Sequence, residues 1–369
     1  MIPGWNGVCT TCLKFGGKAS SHEFEGPSAA FTDIAKAEGL GDYCHWVDDL
    51  MSAQAPIPNV TPFTYAYSTD DVVKLGKELG ITFPANKIQP FAAQTRYVGF
   101  DWFWDLKEVR IPEEKRKSVL ELVTTCTTVG RISLDDLHSL CGKLAHLSMV
   151  VPEGRSMTRA LWSRLAKMVK SCRSGKITWA WGPAQIADLA WWGNTLKVPN
   201  VGMNLCTEPS PDDCISLYCD ASTSWGIGIV INNRFDRFKL RPGWDVCPSG
   251  TRRIGWAEFA AVEVLIHCLK SFLGKDKFKN RHFLLYSDNQ TVIGGWLKRS
   301  SKNVEQNAVL NRVLRVLLKN QSFLTIRYVE SSKNPADGPS RGLDLPGSTR
   351  TRFSPLPKEL SELMTRDGP

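Results

Sequence analysis

Four carboxylates in the C-terminal half stand where chemistry could use them. Asp220 closes SLYCD, Glu258 lies in WAEFAAVE, Asp288 follows HFLLYS and Asp337 sits in NPADGPSR. Two of them end strand-like runs, one opens a long helical pattern, and one occupies a Pro/Gly loop. Carboxylates converging from separate elements can hold two divalent cations, Mg²⁺ or Mn²⁺, about 3.5–4 Å apart. Such a pair activates a water and stabilises the leaving oxygen in phosphodiester hydrolysis. Each residue alone has an ordinary alternative. Asp220 and Asp288 serve equally as strand-end caps, and Asp337 as a turn residue. Glu258 is also a charge favoured at a helix start, and Glu263 competes for its role on the same helix. Their joint placement is what favours chemistry.

The elements that must position them begin after a stretch at 199–213, rich in Pro, Asn, Ser and Asp, which reads as a linker. Strand patterns at 216–220, 226–231 and 234–240 follow in close succession. A helix is expected from Trp256 to about Leu273, then a buried strand at 282–287. Helices start at Thr291 and Val304, and a last strand covers 324–330 before a Pro/Asp/Gly loop. Strands separated by helices favour parallel crossovers, so 214–345 reads as a mixed α/β sheet. The Pro, Ser and Thr content of 346–369 suggests a poorly packed tail.

The N-terminal half carries a second acidic feature. In HWVDDLM, Asp48 and Asp49 follow Trp46 and Val47, as in a hairpin presenting paired carboxylates; a polar turn is the plain alternative. TDDVVKLGKELG reads as an amphipathic helix with an acidic first turn and a Gly stop. TRYVGFDWFWDLKEVRIP alternates as a β-hairpin does, and Pro112 then opens a helix. Leu134, Leu137, Leu140, Leu144 and Leu147 are spaced as one buried helix face, with Ser133 and Asp136 as its N-cap pair. Further helices are expected over 155–171 and 183–196.

The chain has 369 residues, 42% hydrophobic and 10% aromatic, enough for two or three globular domains. Its net charge of +9 suits a polyanionic partner. Residues 153–176 alone hold seven basic side chains against one acidic, which a solvated basic helix would also explain. Cys9 and Cys12 form a lone C-x-x-C pair, poor evidence for zinc, and reduced intracellular thiols fit the 11 cysteines better. No apolar run reaches 18 residues and no signal peptide is visible. A soluble protein without a membrane partner is expected, in the cytoplasm or nucleus.

Together CDAS-x-x-x-GIGIV, the helix glutamate, YSDNQT and N-P-A-D-x-x-SR resemble the RNase H domain of retroelement reverse transcriptases. The resemblance implies Asp220, Glu258, Asp288 and Asp337 as the metal-binding set. It implies close approach of RNA at Gly226 and Gly228, and base or ribose contacts from Asn289 or Gln290. Many such domains carry a His before the last Asp; here the stretch is ESSKN, with either Lys333 or nothing standing in for it. Upstream, FGGKASSHEF, WVDDL, LGITFPANK and YVGFDW resemble polymerase segments. They imply nucleotide binding at Gly16 and Lys87, metal binding at Asp48 and Asp49, and a primer grip. The stretch from RIPEEKRKSVLELV to DLAWWGNTL resembles the thumb and connection of DIRS-group retrotransposons, which places Arg155, Arg159 and Arg164 along the phosphates of an RNA/DNA hybrid.

The expected architecture is a multi-domain α/β chain. A partial reverse transcriptase palm covers 1–105, a helical thumb/connection 106–198, the linker 199–213, an RNase H-like domain 214–345 and the tail 346–369. No acidic residue precedes Glu23, so the upstream palm carboxylate is expected to be missing and polymerase activity lost. The implied function is hydrolysis of the RNA strand of RNA/DNA hybrids. RNA template, DNA primer and other retroelement polyprotein parts are the further implied partners. A non-catalytic nucleic-acid-binding remnant is the alternative.

Overall fold

Helix starts and stops follow the capping chemistry of the sequence in both halves of this computed structural model, which describes residues 20–60, 64–171, 178–205, 214–248, 250–353 and 356–366. The chain divides into two compact units, Met1–Pro112 and Glu113–Pro369. In the first, helix α1 (Ser20–Ala37) buries Phe31 edge-on against Tyr43 and Phe83. Strands β1 (Tyr43–Trp46) and β2 (Asp49–Ser52) form the expected acidic hairpin, with Trp46 paired to Asp49. Helix α2 (Thr69–Glu78) begins where Ser68 and Asp71 cap one another's backbone reciprocally, which satisfies two donors a helix start otherwise leaves open. Strands β3 (Gln94–Tyr97), β4 (Phe100–Phe103) and β5 (Glu108–Arg110) form an antiparallel meander, one strand more than a single hairpin.

The second unit opens with α3 (Glu113–Val129), short strand β6 (Arg131–Ile132) and α4 (Leu134–Leu147). Then come α5 (Arg159–Ser171), β7 (Trp179–Ala180) and α6 (Pro183–Lys197). Ser133 caps α4 as its spacing predicts, and Leu137, Leu140, Leu144 and Leu147 are fully buried. They share the helical core with Leu161, Met168 and Trp192. Asp188 of α6 accepts the Ala160 and Leu161 amides at 2.9 and 3.4 Å, capping α5 from another helix. Burial pushes its carboxyl up to about 6 despite those bonds. Part of the expected linker is ordered as a short strand, β8 (Gly202–Asn204).

The C-terminal sheet keeps the expected element order. Strands β9 (Leu217–Ala221), β10 (Gly226–Ile231) and β11 (Arg234–Leu240) are antiparallel. Two minimal strands, β12 (Val246–Cys247) and β13 (Gly250–Thr251), precede α7 (Ile254–Phe278), which continues past Leu273 only through a kink at Gly274, φ 74°. Strand β14 (His282–Ser287), helices α8 (Gln290–Lys298) and α9 (Val304–Lys319), strand β15 (Phe323–Tyr328) and the short helix α10 (Asp337–Ser340) follow. The order across the sheet is β15-β14-β9-β10-β11, with β14 parallel to both β15 and β9. Helix α7 lies on this sheet over a continuous apolar core that includes Ile227, Ile229, Leu265, Phe283 and Leu285. The fold is a multi-domain mixed α/β structure.

The tail is not poorly packed. Strand β16 (Thr349–Arg350) pairs parallel with β11, and after α11 (Lys358–Ser361) strand β17 (Met364–Arg366) pairs with it antiparallel. Phe353, Leu360 and Met364 join the core. Asp236 of β11, fully buried, forms ion pairs with Arg350 at 3.9 Å and Arg366 at 2.9 Å, so buried charge as well as apolar contact fastens this segment. Among the described residues no helix is long and apolar enough to cross a membrane.

Candidate active site

The parallel register of β9 and β14 pairs Leu217 with Leu285 and Tyr218 with Tyr286. Continued by two residues, it sets Asp220 level with Asp288 at the carboxyl ends of neighbouring strands, where open α/β sheets place ligands. Glu258 is the fifth residue of α7, the helix on this sheet, and Asp337 begins α10. Two of the carboxyls feel the charges of their neighbours. Burial first, then the charges of Asp288 and Asp337, push Asp220 up to about 6, against a lowering hydrogen bond from Ser340. Burial, then the charges of Asp220 and Asp288, push Glu258 up to about 8, with Asn289 opposing. Glu258 is 6% exposed, and its Oε2 is buried with no hydrogen-bond partner. Two buried carboxyls, one with an orphaned oxygen, beside two partly exposed carboxylates make a donor set that a divalent cation fits.

The other carboxylates are held by the chain. Ser340 Oγ lies 2.5 Å from Asp220 Oδ2 and 2.8 Å from the Asp337 carbonyl. Ser331 donates to Asp288 Oδ2. Asn334, 4% exposed, donates to Asp288 Oδ1 at 3.4 Å and to the Cys219 carbonyl at 3.3 Å. The Arg341 guanidinium grips Asp337, with Nη2 to Oδ1 at 2.8 Å and Nε to both oxygens at 3.0 and 3.1 Å. Among the described residues no three His, Cys, Asp or Glu side chains close into a ready metal-ligand group. The carboxylates of the cluster thus repel one another, while its outer members are tied to neutral or cationic donors.

Several expected roles change. Gly226 and Gly228 are buried, and the chain itself fills the space a Cβ would take. At Gly228 that position lies 2.4 Å from Ser340 N and 2.5 Å from the Ala336 carbonyl; at Gly226 it lies 2.0 Å from the Phe238 carbonyl. These glycines admit α10 and the neighbouring strand, not RNA. Asn289 caps α8 through Oδ1, accepting from Thr291 and Val292, and Gln290 is the exposed first residue of that helix. Glu263 forms a two-bond ion pair with Arg312 of α9, at 2.7 Å each, and so does not compete with Glu258. Lys333 pairs with Glu330, and Ser331 and Asn334 are the residues of ESSKN that reach the site.

The three arginines do not form one row. Arg164 donates to the Ala180 carbonyl and stacks over Trp179, 5.2 Å from the ring centre. Arg155 and Arg159 reach the Lys298 and Lys302 carbonyls at 3.4 and 3.3 Å. In the first unit, Asp48 lies in the hairpin turn and Asp49 begins β2, both exposed. Val47 holds φ 57° there, strained for a β-branched residue, while its carbonyl accepts from Ser28 at 2.7 Å. Lys87 is exposed in a 3₁₀ turn, Ala85–Lys87. Gly16, Cys9 and Cys12 lie outside the described residues.

No protein-family model and no curated protein matches the chain. Solved structures similar to it include a foamy viral protease-reverse transcriptase in complex with RNA/DNA hybrid, with TM-score 0.39 and 11% identity, covering 82% of this chain and 37% of that one. A dRH form of that protein in complex with ds DNA gives 0.36 and 12%, covering 83% and 49%. A dsDNA complex gives 0.38 and 14%, covering 86% and 60%. The chain therefore spans between 37% and 60% of the length of these proteins. At these TM-scores the architecture rests on the strands and helices described above.

Proposed function

We propose that the Glu113–Pro369 unit is a retroelement-derived ribonuclease H that hydrolyses the RNA strand of RNA/DNA hybrids. The observation that carries this reading is the buried, partnerless Glu258 Oε2 within reach of the charges of Asp220 and Asp288, with Asp337 in turn acting on Asp220. These four residues would hold Mg²⁺ or Mn²⁺. Bound there, the cations would supply the Lewis acidity that activates a water and steadies the leaving 3′-oxygen. Glu258, with its carboxyl pushed up to about 8, keeps a proton at neutral pH until it is called on as a ligand. Ser340 and Asn334 orient Asp220 and Asp288, and Arg341 holds Asp337 over the same sheet edge. A labelled hybrid incubated with the full chain should be cut in the RNA strand only when Mg²⁺ or Mn²⁺ is present. Asp288→Asn should lower the rate at least about 100-fold; cleavage that persists unchanged sinks the assignment.

A second reading, a nucleic-acid-binding remnant without turnover, is favoured by the Arg341 grip on Asp337 and by the unassembled ligand group. Salt-dependent hybrid binding with no cleavage in either metal would select it. For the Met1–Pro112 unit we propose descent from a reverse transcriptase palm that keeps the Asp48–Asp49 hairpin. Among the described residues no third ligand joins that pair. Primer extension by this chain is expected at background, and extension that Asp49→Asn abolishes would overturn the expectation.

A further inference from the structure

The end of α7 is loaded with positive charge at the edge of the sheet opposite the carboxylates. Gly274, φ 74°, breaks the helix, and one further turn follows over 275–278. Phe278 anchors that turn, since it is fully buried and stacks on Phe283 of β14 with ring centres 5.0 Å apart. Its carbonyl accepts from the buried Ser322 Oγ at 2.7 Å. Asn280 N donates to the Asn320 carbonyl at 3.0 Å and Phe323 N to the Arg281 carbonyl at 2.8 Å, so the stretch after α7 is bolted to the end of α9. Lys275, Lys277, Lys279 and Arg281 are thereby gathered with Lys319, the last residue of α9, and all five are exposed.

Asp276 is the one acid in this stretch, so five positive charges against one negative leave +4. The ordinary explanation is that cations sit well at helix C-termini. Each such end carries about half a negative charge, so the ends of α7 and α9 neutralise about one unit and leave about three. Among the described residues none of the five cations is held in an ion pair or a side-chain hydrogen bond. The surplus is left for a partner to meet.

Phosphates suit it better than a protein surface does. Protein interfaces are depleted in lysine and centred on aromatic or arginine anchors, whereas lysines are flexible point charges that can follow a phosphate chain. The form of the nucleic acid follows from position. Strand β14 starts beside the patch at His282 and ends at Ser287, next to Asp288, so its six residues set patch and carboxylates on the order of 20 Å apart. A duplex seated on the carboxylates is stiff over about 150 base pairs and does not bend round the sheet in that length. A single strand does.

We propose that this lysine-rich pole binds single-stranded nucleic acid and holds the unpaired strand that continues beyond a hybrid seated at the carboxylates. The position of the hybrid rests on the nuclease reading above; the affinity of the pole for a single strand does not.

The test is binding by the full chain in EDTA over a range of salt concentrations, so that no turnover is needed. The fluorescent probes are single-stranded RNA and DNA of about 20 nucleotides, a blunt RNA/DNA hybrid, hybrids with an RNA or a DNA overhang of that length, and a poly-glutamate peptide. Lys275→Ala/Lys277→Ala/Lys279→Ala should weaken single-strand binding about 10- to 50-fold near 0.15 M salt. It should also reduce the slope of log K against log salt by about 2, three contacts at roughly 0.7 each, and leave the slope for the blunt hybrid unchanged. Lys275→Arg/Lys277→Arg/Lys279→Arg, which keeps the charge, should recover most of the slope and shows that the loss in the alanine variant is not misfolding. Wild type should bind an overhanging hybrid more tightly than the blunt one, and the alanine variant should lose that gain; the overhang that gives it identifies the held strand as RNA or DNA. An unchanged single-strand slope in the alanine variant, an equal slope loss on the blunt hybrid, or no gain from either overhang overturns the proposal. Poly-glutamate bound more tightly than RNA, and lost in the same variant, assigns the pole to an acidic protein and also overturns it. A reduced single-strand slope in a chain that cleaves no hybrid leaves the single-strand site standing and removes the nuclease reading; cleavage of blunt hybrid with unchanged slopes does the reverse.

Discussion

Glu258→Gln should make the metal-free protein more stable while it removes a ligand from the candidate site. The carboxyl is pushed from 4.5 up to about 8, chiefly by burial. A carboxylate whose pKa is raised on folding opposes folding wherever it must ionise. The cost is absent below the unfolded value of 4.5, grows as pH rises and levels off above 8. At 1.36 kcal/mol per pK unit, it is roughly 1 kcal/mol at pH 5, roughly 3 at pH 7 and 4–5 above pH 8. Gln cannot ionise, so this pH-dependent cost disappears in the variant. Urea unfolding of wild type and variant in EDTA, from pH 5 to 8.5, should therefore show a gap in favour of the variant that widens with pH. At pH 7 about 3 kcal/mol corresponds to roughly 6–12 °C in Tm, less whatever the Gln amide loses by finding no partner. Mg²⁺ should then stabilise wild type far more than the variant, because a cation that binds only the folded state adds RT ln(1 + [L]/Kd). A gap that stays constant from pH 5 to 8.5 refutes the reasoning, since burial of an ionising carboxyl cannot give a pH-independent difference.

Two further outcomes are expected. Gly228→Ala places a Cβ against the backbone of α10 and should cost about 1–3 kcal/mol of stability; it should also slow hybrid cleavage by shifting Asp337 and Ser340, and a variant with wild-type rate and Tm would show that α10 is freely displaced. Asp236→Asn leaves Arg350 and Arg366 without their buried counter-charge and should cost about 3 kcal/mol; limited proteolysis should then release the 346–369 segment, and an intact, undigested segment would count against this fastening.

The sheet was legible because its burial pattern is written into short apolar runs. GIGIVI is buried throughout and HFLLYS nearly so, and each is bounded by turn residues that fix its ends. The carboxylates were legible because strand ends and a helix start are positions a sequence marks. The tail was not, because composition averages over residues while burial selects among them. Phe353, Leu360 and Met364 carry the packing of a stretch otherwise rich in Pro, Ser and Thr. The arginines misled for a related reason. Their spacing implied one helical face, yet Arg155 caps a 3₁₀ turn before α5 begins, so 155, 159 and 164 share no face.

What the sequence hid at the site is how its carboxylates are held, and this bears on which reading of the function prevails. Ser340 and Arg341 are adjacent, yet they bind different carboxylates, Asp220 on β9 and Asp337 on α10. One rigid dipeptide therefore couples a strand to a short helix, and Gly228 leaves the space that lets the helix sit close enough for the coupling. The two grips differ in strength. Ser340 and Asp220 are buried, so their bond is protected from water, whereas Arg341 and Asp337 are 58% and 41% exposed. An exposed ion pair of that kind contributes little in water, far less than a divalent cation gains from several converging carboxylates. The Arg341 grip is thus too weak to close the site against a cation, and the feature that most favours a lost activity does not suffice for it.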